Sequence, residues 1–290
     1  MARDAPTAAT WAPAVVAGEA AAAAVELDSD LGAPHSRAAA FFDIDNTVVR
    51  GASLFHLARG LASRKFFTAT DVATFAWHQA KFRVAGCEDL DDMASAIEAA
   101  LSFVAGHRVD EVTRLGEEIF EERIEGKLYA GTIALANQHV SRGEGVWLVS
   151  AAPVEIATII AKKLGLTGAL GTVSEVSDGV YTGHLVGSPL HGPAKAEAVR
   201  ALAEREGLDL GQCAAYSDSS NDIPMLTLVG QPVAVNPDAK LRRHARQLGW
   251  QVYDYRSGRK AVKLGVPAAV ALGAAAGVAA GIVSTRRHPR

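Results

Sequence analysis

Phe41-Phe42-Asp43-Ile44-Asp45-Asn46-Thr47 is an apolar run, opening at Ala38, that ends abruptly in two carboxylates and a threonine. An uninterrupted small and aromatic run between polar residues reads as a central parallel strand, so Ala38 to Phe42 predicts a buried strand. Asp43 and Asp45 then stand at its carboxyl end, the edge at which ligands bind in an open α/β sheet. Extended alternation would send the two side chains to opposite faces unless a turn begins between them. One carboxylate can attack while the other moves a proton. The alternative is a cap: Asp, Asn and Thr all accept from free backbone amides, and a helix could start near Thr47. Alone, the motif does not separate these readings.

Three further fragments lie downstream, each at a predicted strand end or helix start. Val146 to Val149 is an apolar run ending in Ser150, and a helical pattern through Ile156, Ile159, Ile160 and Leu164 follows Pro153. A strand, a hydroxyl and a helix N-terminus in that order make a ready phosphate site. Lys195 follows Gly192-Pro193-Ala194 and opens a helix over 196–206, so its ammonium can reach the same place. Cys213 to Tyr216 leads into Ser217-Asp218-Ser219-Ser220-Asn221-Asp222, with a helix beginning at Ile223. Asp218 and Asp222 are spaced for one to bind a cation and the other to support it.

The ordered set Asp43-x-Asp45-x-Thr47, Ser150, Lys195 and Asp218-x-x-x-Asp222 resembles the four motifs of haloacid dehalogenase-like phosphohydrolases. The resemblance spans residues 38–256 and is closest to the phosphoserine-phosphatase-like branch, subclass IB. Ser150-Ala151-Ala152-Pro153, the block 217–225 and Val233-Ala234-Val235-Asn236-Pro237 fit that branch best. It implies a Rossmann-like parallel-sheet core (36–50 and 146–256) with an inserted helical cap (51–145). It also implies a phosphomonoesterase acting on a small phosphorylated metabolite. Asp43 would be the nucleophile, forming an aspartyl-phosphate, and Asp45 the general acid and base. Mg²⁺ would be held by the Asp43 and Asp218 carboxylates and the Asp45 carbonyl. Ser150, Lys195 and the amide near Asn46 would bind the transferring oxygens, with Asp222, Asn221 and Thr47 supporting them. Phosphoserine phosphatases carry a glutamate after the first motif that holds the substrate ammonium. Val48-Val49-Arg50-Gly51 stands there instead, so phosphoserine remains an alternative substrate.

The rest of the chain frames that core. The interval 51–145 is far longer than a crossover needs, and 89–103 and 109–124 place apolar residues at helical spacing. Asp178-Gly179 between β-prone residues predicts a hairpin within 173–187. Residues 1–35, rich in Ala, Pro and acids with little period, read as disordered and not as a secretory signal. The two cysteines, Cys87 and Cys213, indicate no disulfide framework, which favours a cytoplasmic catalytic domain. A net charge of −3 gives no reason to expect nucleic-acid binding.

Residues 264–285 carry no charge and are flanked by Arg259, Lys260, Lys263, Arg286 and Arg287, so they form a candidate transmembrane helix after a basic linker from 257. Gly273, Gly277 and Gly281 make a smooth stripe for self-association. Alanine and glycine dominate, however, and strongly apolar residues contribute only about −0.3 to −0.6 kcal/mol each. The competing reading is a disordered or peripheral tail. An anchor would admit another function, a membrane-associated regulatory protein with incidental phosphatase activity.

Overall fold

The structure is a computed structural model, in which residues 8–25, 36–64, 66 and 104–256 are described. The chain divides into units 1–253 and 254–290. Of the second unit, Arg256 pairs with Asp254 at 2.8 Å, and the candidate transmembrane helix with its glycine stripe lies outside the described residues. Among the described residues no helix is long and apolar enough to cross a membrane.

The first unit is built on a six-stranded sheet in the order β3-β2-β1-β6-β7-β8. Its strands are β1 (Ala39–Asp43), β2 (Gly145–Pro153), β3 (Gly168–Thr172), β6 (Ala214–Ser217), β7 (Gln231–Val235) and β8 (Gln251–Tyr253). All five pairings are parallel. The chain leaves β1 toward β2 on one side and returns to β6 on the other, so the order reverses beside β1. At such a switch point the crossovers splay apart and a crevice opens at the carboxyl edge. The expected central strand is confirmed, buried along its whole length.

Helix α1 (Ala8–Ala23) is a correction. Residues 1–35 read as disordered, yet Ala14, Ala17, Ala21 and Ala22 are buried in one apolar cluster with Phe41, Trp147 and residues of helix α6 (Pro193–Glu206). A Cβ on Gly18 would sit 2.7 Å from the Ala198 nitrogen, so the helices touch backbone to backbone. Alanines carry little periodic signal, and their burial depends on a partner remote in sequence.

The interval expected to form the cap contains helices α2 (Ser53–Ser63) and α3 (Val109–Ile119), with a π-helical continuation over Phe120–Ile124 and a 3₁₀ turn over Glu125–Lys127. Its residues 67–103, including the helical pattern of 89–103, lie outside the described residues. Helix α4 (Ala130–Ser141), placed in the cap by its position in the chain, belongs to the core instead. Its His139 imidazole meets the Tyr216 hydroxyl on β6 at 2.7 Å, and Thr132 Oγ1 donates to the Thr47 carbonyl at 2.7 Å. The insertion thus closes at the bridge between Val49 and Leu128.

The expected hairpin forms from β4 (Ser174–Ser177) and β5 (Val180–Leu185). Asp178 and Gly179 both take positive φ, 51° and 75°, the type I′ turn that matches strand twist. The returning limb of the insertion is laced to it: Gly106 N donates to Tyr181 O at 2.9 Å, Tyr181 N to His107 O at 3.0 Å, and Val109 N to Gly179 O at 3.0 Å. Helices α5 (Val154–Lys163), α7 (Ile223–Leu226) and α8 (Ala239–Leu248) complete the unit.

Candidate active site

Four loops meet at the carboxyl edge of the sheet. Asp43 ends β1 opposite Val149, which puts Ser150 on the neighbouring strand beside it. On the other side the ladder runs from Phe42 to Tyr216, so Ser217 and Asp218 follow at the same level. Register alone therefore brings the first, second and fourth motifs together. The third arrives on α6, whose turn of entry requires φ 54° at Gly192; glycine adopts that conformation without Cβ strain.

Lys195 is the hub. Only 3 % exposed, its ammonium donates to Asp43 Oδ1 at 2.5 Å and to Asp222 Oδ2 at 2.9 Å. A bare buried ammonium would cost several kcal/mol; two charge-assisted bonds offset that. Burial pushes the Lys195 pKa down, but Asp222 and Asp43 outweigh it and hold it above the usual lysine value. Asp222 is fixed in turn by Ser217, whose hydroxyl donates to the same Oδ2 at 2.7 Å. Asp222 Oδ2 thus joins the lysine ammonium to the Ser217 hydroxyl.

Asp45 stands on the turn after β1, where Oδ1 accepts from Ser53 N at 2.8 Å. The capping alternative is therefore realised in part, although the helix begins at Ser53 and not near Thr47. Asn46, exposed and at φ 57°, accepts from Gly51 N at 3.0 Å. Ser150 is buried, and its Oγ accepts from Ala152 N at 3.1 Å, within the stretch of β2 where the register against β3 shifts. Thr47 is buried, with Oγ1 lacking a partner among the described residues. Asn221 is exposed and lies 3.5 Å from the His191 imidazole, not on the Asp43–Lys195 pair.

The electrostatics are lopsided. Asp43 has its pKa raised well above the ordinary value, first by burial and then by Asp222, Asp218 and Asp45, with Lys195 opposing. Asp218 is pushed up to about 7, by burial and then by Asp222, again against Lys195. One ammonium faces four carboxylates. Such an acid-rich oxygen set fits a hard divalent cation, which would supply the missing positive charge. Among the described residues no three His, Cys, Asp or Glu side chains form a closed cage. Two carboxylates and a main-chain carbonyl do not need one, because Mg²⁺ keeps several waters and shares substrate phosphate.

Two residues that sequence reasoning left out of the site hold its loops. Asn236, at the end of β7, donates from Nδ2 to the Asn46 carbonyl at 2.9 Å. Asp238 accepts from Ser220 N and from Leu241 N, each at 2.7 Å, and its own N–H donates to the Asp218 carbonyl at 2.8 Å. Burial raises the Asp238 pKa, but these amides outweigh it and hold the carboxyl below the usual range. The signal was present: Asn236-Pro237-Asp238 leaves a strand for a helix at the edge that carries Asp43.

Comparison with known proteins agrees with this geometry. The haloacid dehalogenase-like hydrolase family matches residues 40–227. Phosphoserine phosphatase SerB1 of Mycobacterium tuberculosis is 54% identical over 250 residues, 86% of this chain and 81% of that protein. The histidinol-phosphatase of Neisseria meningitidis serogroup C is 30% identical over 223 residues, 75% of this chain and 98% of that protein. The solved structure of a protein of unknown function from Bordetella pertussis Tohama I matches with a TM-score of 0.67 at 29% identity, covering 76% of this chain and 99% of its own. With the four motifs meeting at one sheet edge, this chain belongs to the haloacid dehalogenase-like hydrolase family and is one of its phosphatases.

Proposed function

We propose that the chain is a Mg²⁺-dependent phosphomonoesterase that works through a phosphorylated Asp43. The observation that carries this reading is the Asp43–Lys195–Asp222 chain of bonds inside an excess of carboxylates. Hydrolysis of a phosphate monoester pushes an anion toward an anion, so neutralisation and alignment are the main tasks. The Asp43 and Asp218 carboxylates and the Asp45 carbonyl would hold Mg²⁺, which would supply the positive charge that offsets the repulsion between nucleophile and phosphate. Lys195 keeps Asp43 aimed and meets the phosphoryl oxygens together with the Ser150 loop. An Asp43 oxygen forms the new bond to phosphorus as the ester oxygen leaves, and Asp45 gives that oxygen a proton. Asp45 then takes a proton from water, whose oxygen attacks phosphorus and frees the Asp43 carboxylate and inorganic phosphate.

The substrate is a small phosphorylated metabolite. Phosphoserine is the second reading, favoured by the name of the 54% identical mycobacterial relative. Against it, Val48, Val49 and Arg50 offer no anion for an ammonium. The test is a panel of phosphomonoesters, phosphoserine and histidinol phosphate among them, assayed with the full chain, with and without Mg²⁺. Mg²⁺-dependent release of phosphate from at least one small ester is expected, and an inert panel would refute the assignment.

A further inference from the structure

The mechanism leaves unused a buried polar chain beneath the site. Tyr216 and His139 are both buried. The Tyr216 hydroxyl lies 2.7 Å from His139 Nε2, and His139 Nδ1 meets the Glu144 carboxylate. The Glu144 carboxylate accepts, which assigns the proton to Nδ1 and leaves Nε2 to accept from the tyrosine, while the Arg142 guanidinium, 3.2 Å from the same Nδ1, pairs with Glu144 at 3.3 Å. Burial lowers the His139 pKa against the pull of Glu144, in keeping with a neutral ring. Glu144 directly precedes β2, so the chain of bonds joins β6 to the foot of β2 across α4.

The position of Tyr216 gives this tie its consequence. The β1–β6 ladder has only three register pairs, Ala40 with Ala214 through Phe42 with Tyr216. It stops one residue short of Asp43 and two short of Asp218. The last registered pair is also an aromatic stack, with the Phe42 and Tyr216 rings 4.1 Å apart and 2° from parallel. Beyond it the two acids have no ladder pairing between them.

We propose that Tyr216 is a positioning residue for the divalent-cation site. Its hydroxyl, anchored through His139, and its ring, stacked on Phe42, set the offset between β1 and β6 and so the span between the Asp43 and Asp218 carboxylates. This rests on the metal-dependent reading above. Tyr216→Phe keeps the stack and removes only the hydroxyl; His139→Gln removes the imidazole that anchors it. Titration calorimetry of the full chain with Mg²⁺ reads the effect without turnover. Both variants are expected to bind Mg²⁺ about three- to tenfold more weakly, below the roughly 10- to 100-fold lost when a direct partner of a ligand is removed. In turnover the Mg²⁺ requirement rises by the same factor, while kcat at saturating Mg²⁺ stays within about twofold. Lower melting temperatures with unchanged Mg²⁺ affinity would make the tie a stabiliser only and overturn the proposal. A wild-type chain that takes up no Mg²⁺ would overturn both this inference and the metal-dependent reading beneath it.

Discussion

Helix α6 has two working ends that obey different physics. At its N-terminus Lys195 is gripped by two carboxylates in a crowded acidic crevice. Along its length Ala198, Leu202 and their neighbours lie against the alanines of α1, where contact is apolar and close. The first region needs particular atoms at particular places, because an unpaired buried charge is expensive. The second needs only small volume and fit. One therefore leaves a signature in residue identity and the other leaves almost none, and substitutions in the two should fail differently.

The largest expected loss is at the nucleophile. Asp43→Asn should cut kcat by at least about four orders of magnitude, as removing a group that acts covalently does, with the melting temperature close to wild type; steady-state kinetics and a thermal melt check both halves. Lys195→Met should fail by another route. Removing the ammonium leaves Asp43 and Asp222 buried without their cation, at a cost of about 3–5 kcal/mol, which denaturant unfolding would reveal.

Next comes the apolar end. Gly18→Leu drives a side chain into the Ala198 backbone and should cost about 1–3 kcal/mol while leaving kcat at low temperature unchanged. If kcat falls with stability, the two ends of α6 are mechanically joined and the contrast drawn between them breaks. The smallest effect concerns pH. Asp218 titrates near 7 in the folded chain, above its unfolded value, so the folded state binds the proton more tightly. Metal-free stability should therefore decline as pH rises from about 4 toward 7. Mg²⁺ needs the deprotonated ligand, so its stabilisation should be larger at pH 8 than at pH 5. Melting scans at the two pH values test the sign.

What could be read from sequence follows the same division. The strand at Phe41 and Phe42 and the order of the four motifs were legible, because strand ends place their residues at one edge; the burial of Lys195 between Asp43 and Asp222 was not. The hairpin at Asp178-Gly179 was legible through its backbone need for positive φ. Helix α1 was not, since Ala14, Ala17 and Ala21 acquire meaning only against α6. Nor was the assignment of α4 to the core, which depends on His139 reaching across the sheet to Tyr216. Asn236 and Asp238 lay in plain view, but their task is to hold backbone, which side-chain chemistry alone does not announce.

The seam between residues 106–109 and the hairpin bears on how this protein is labelled. An exposed Asp-Gly turn is the usual choice for grafting an epitope or a fluorophore, since loop tips tolerate insertion. Here the Gly179 carbonyl at that tip accepts from Val109 N. A graft would pull a stitch out of the return path of the whole inserted segment, and a probe placed there would report on damage of its own making.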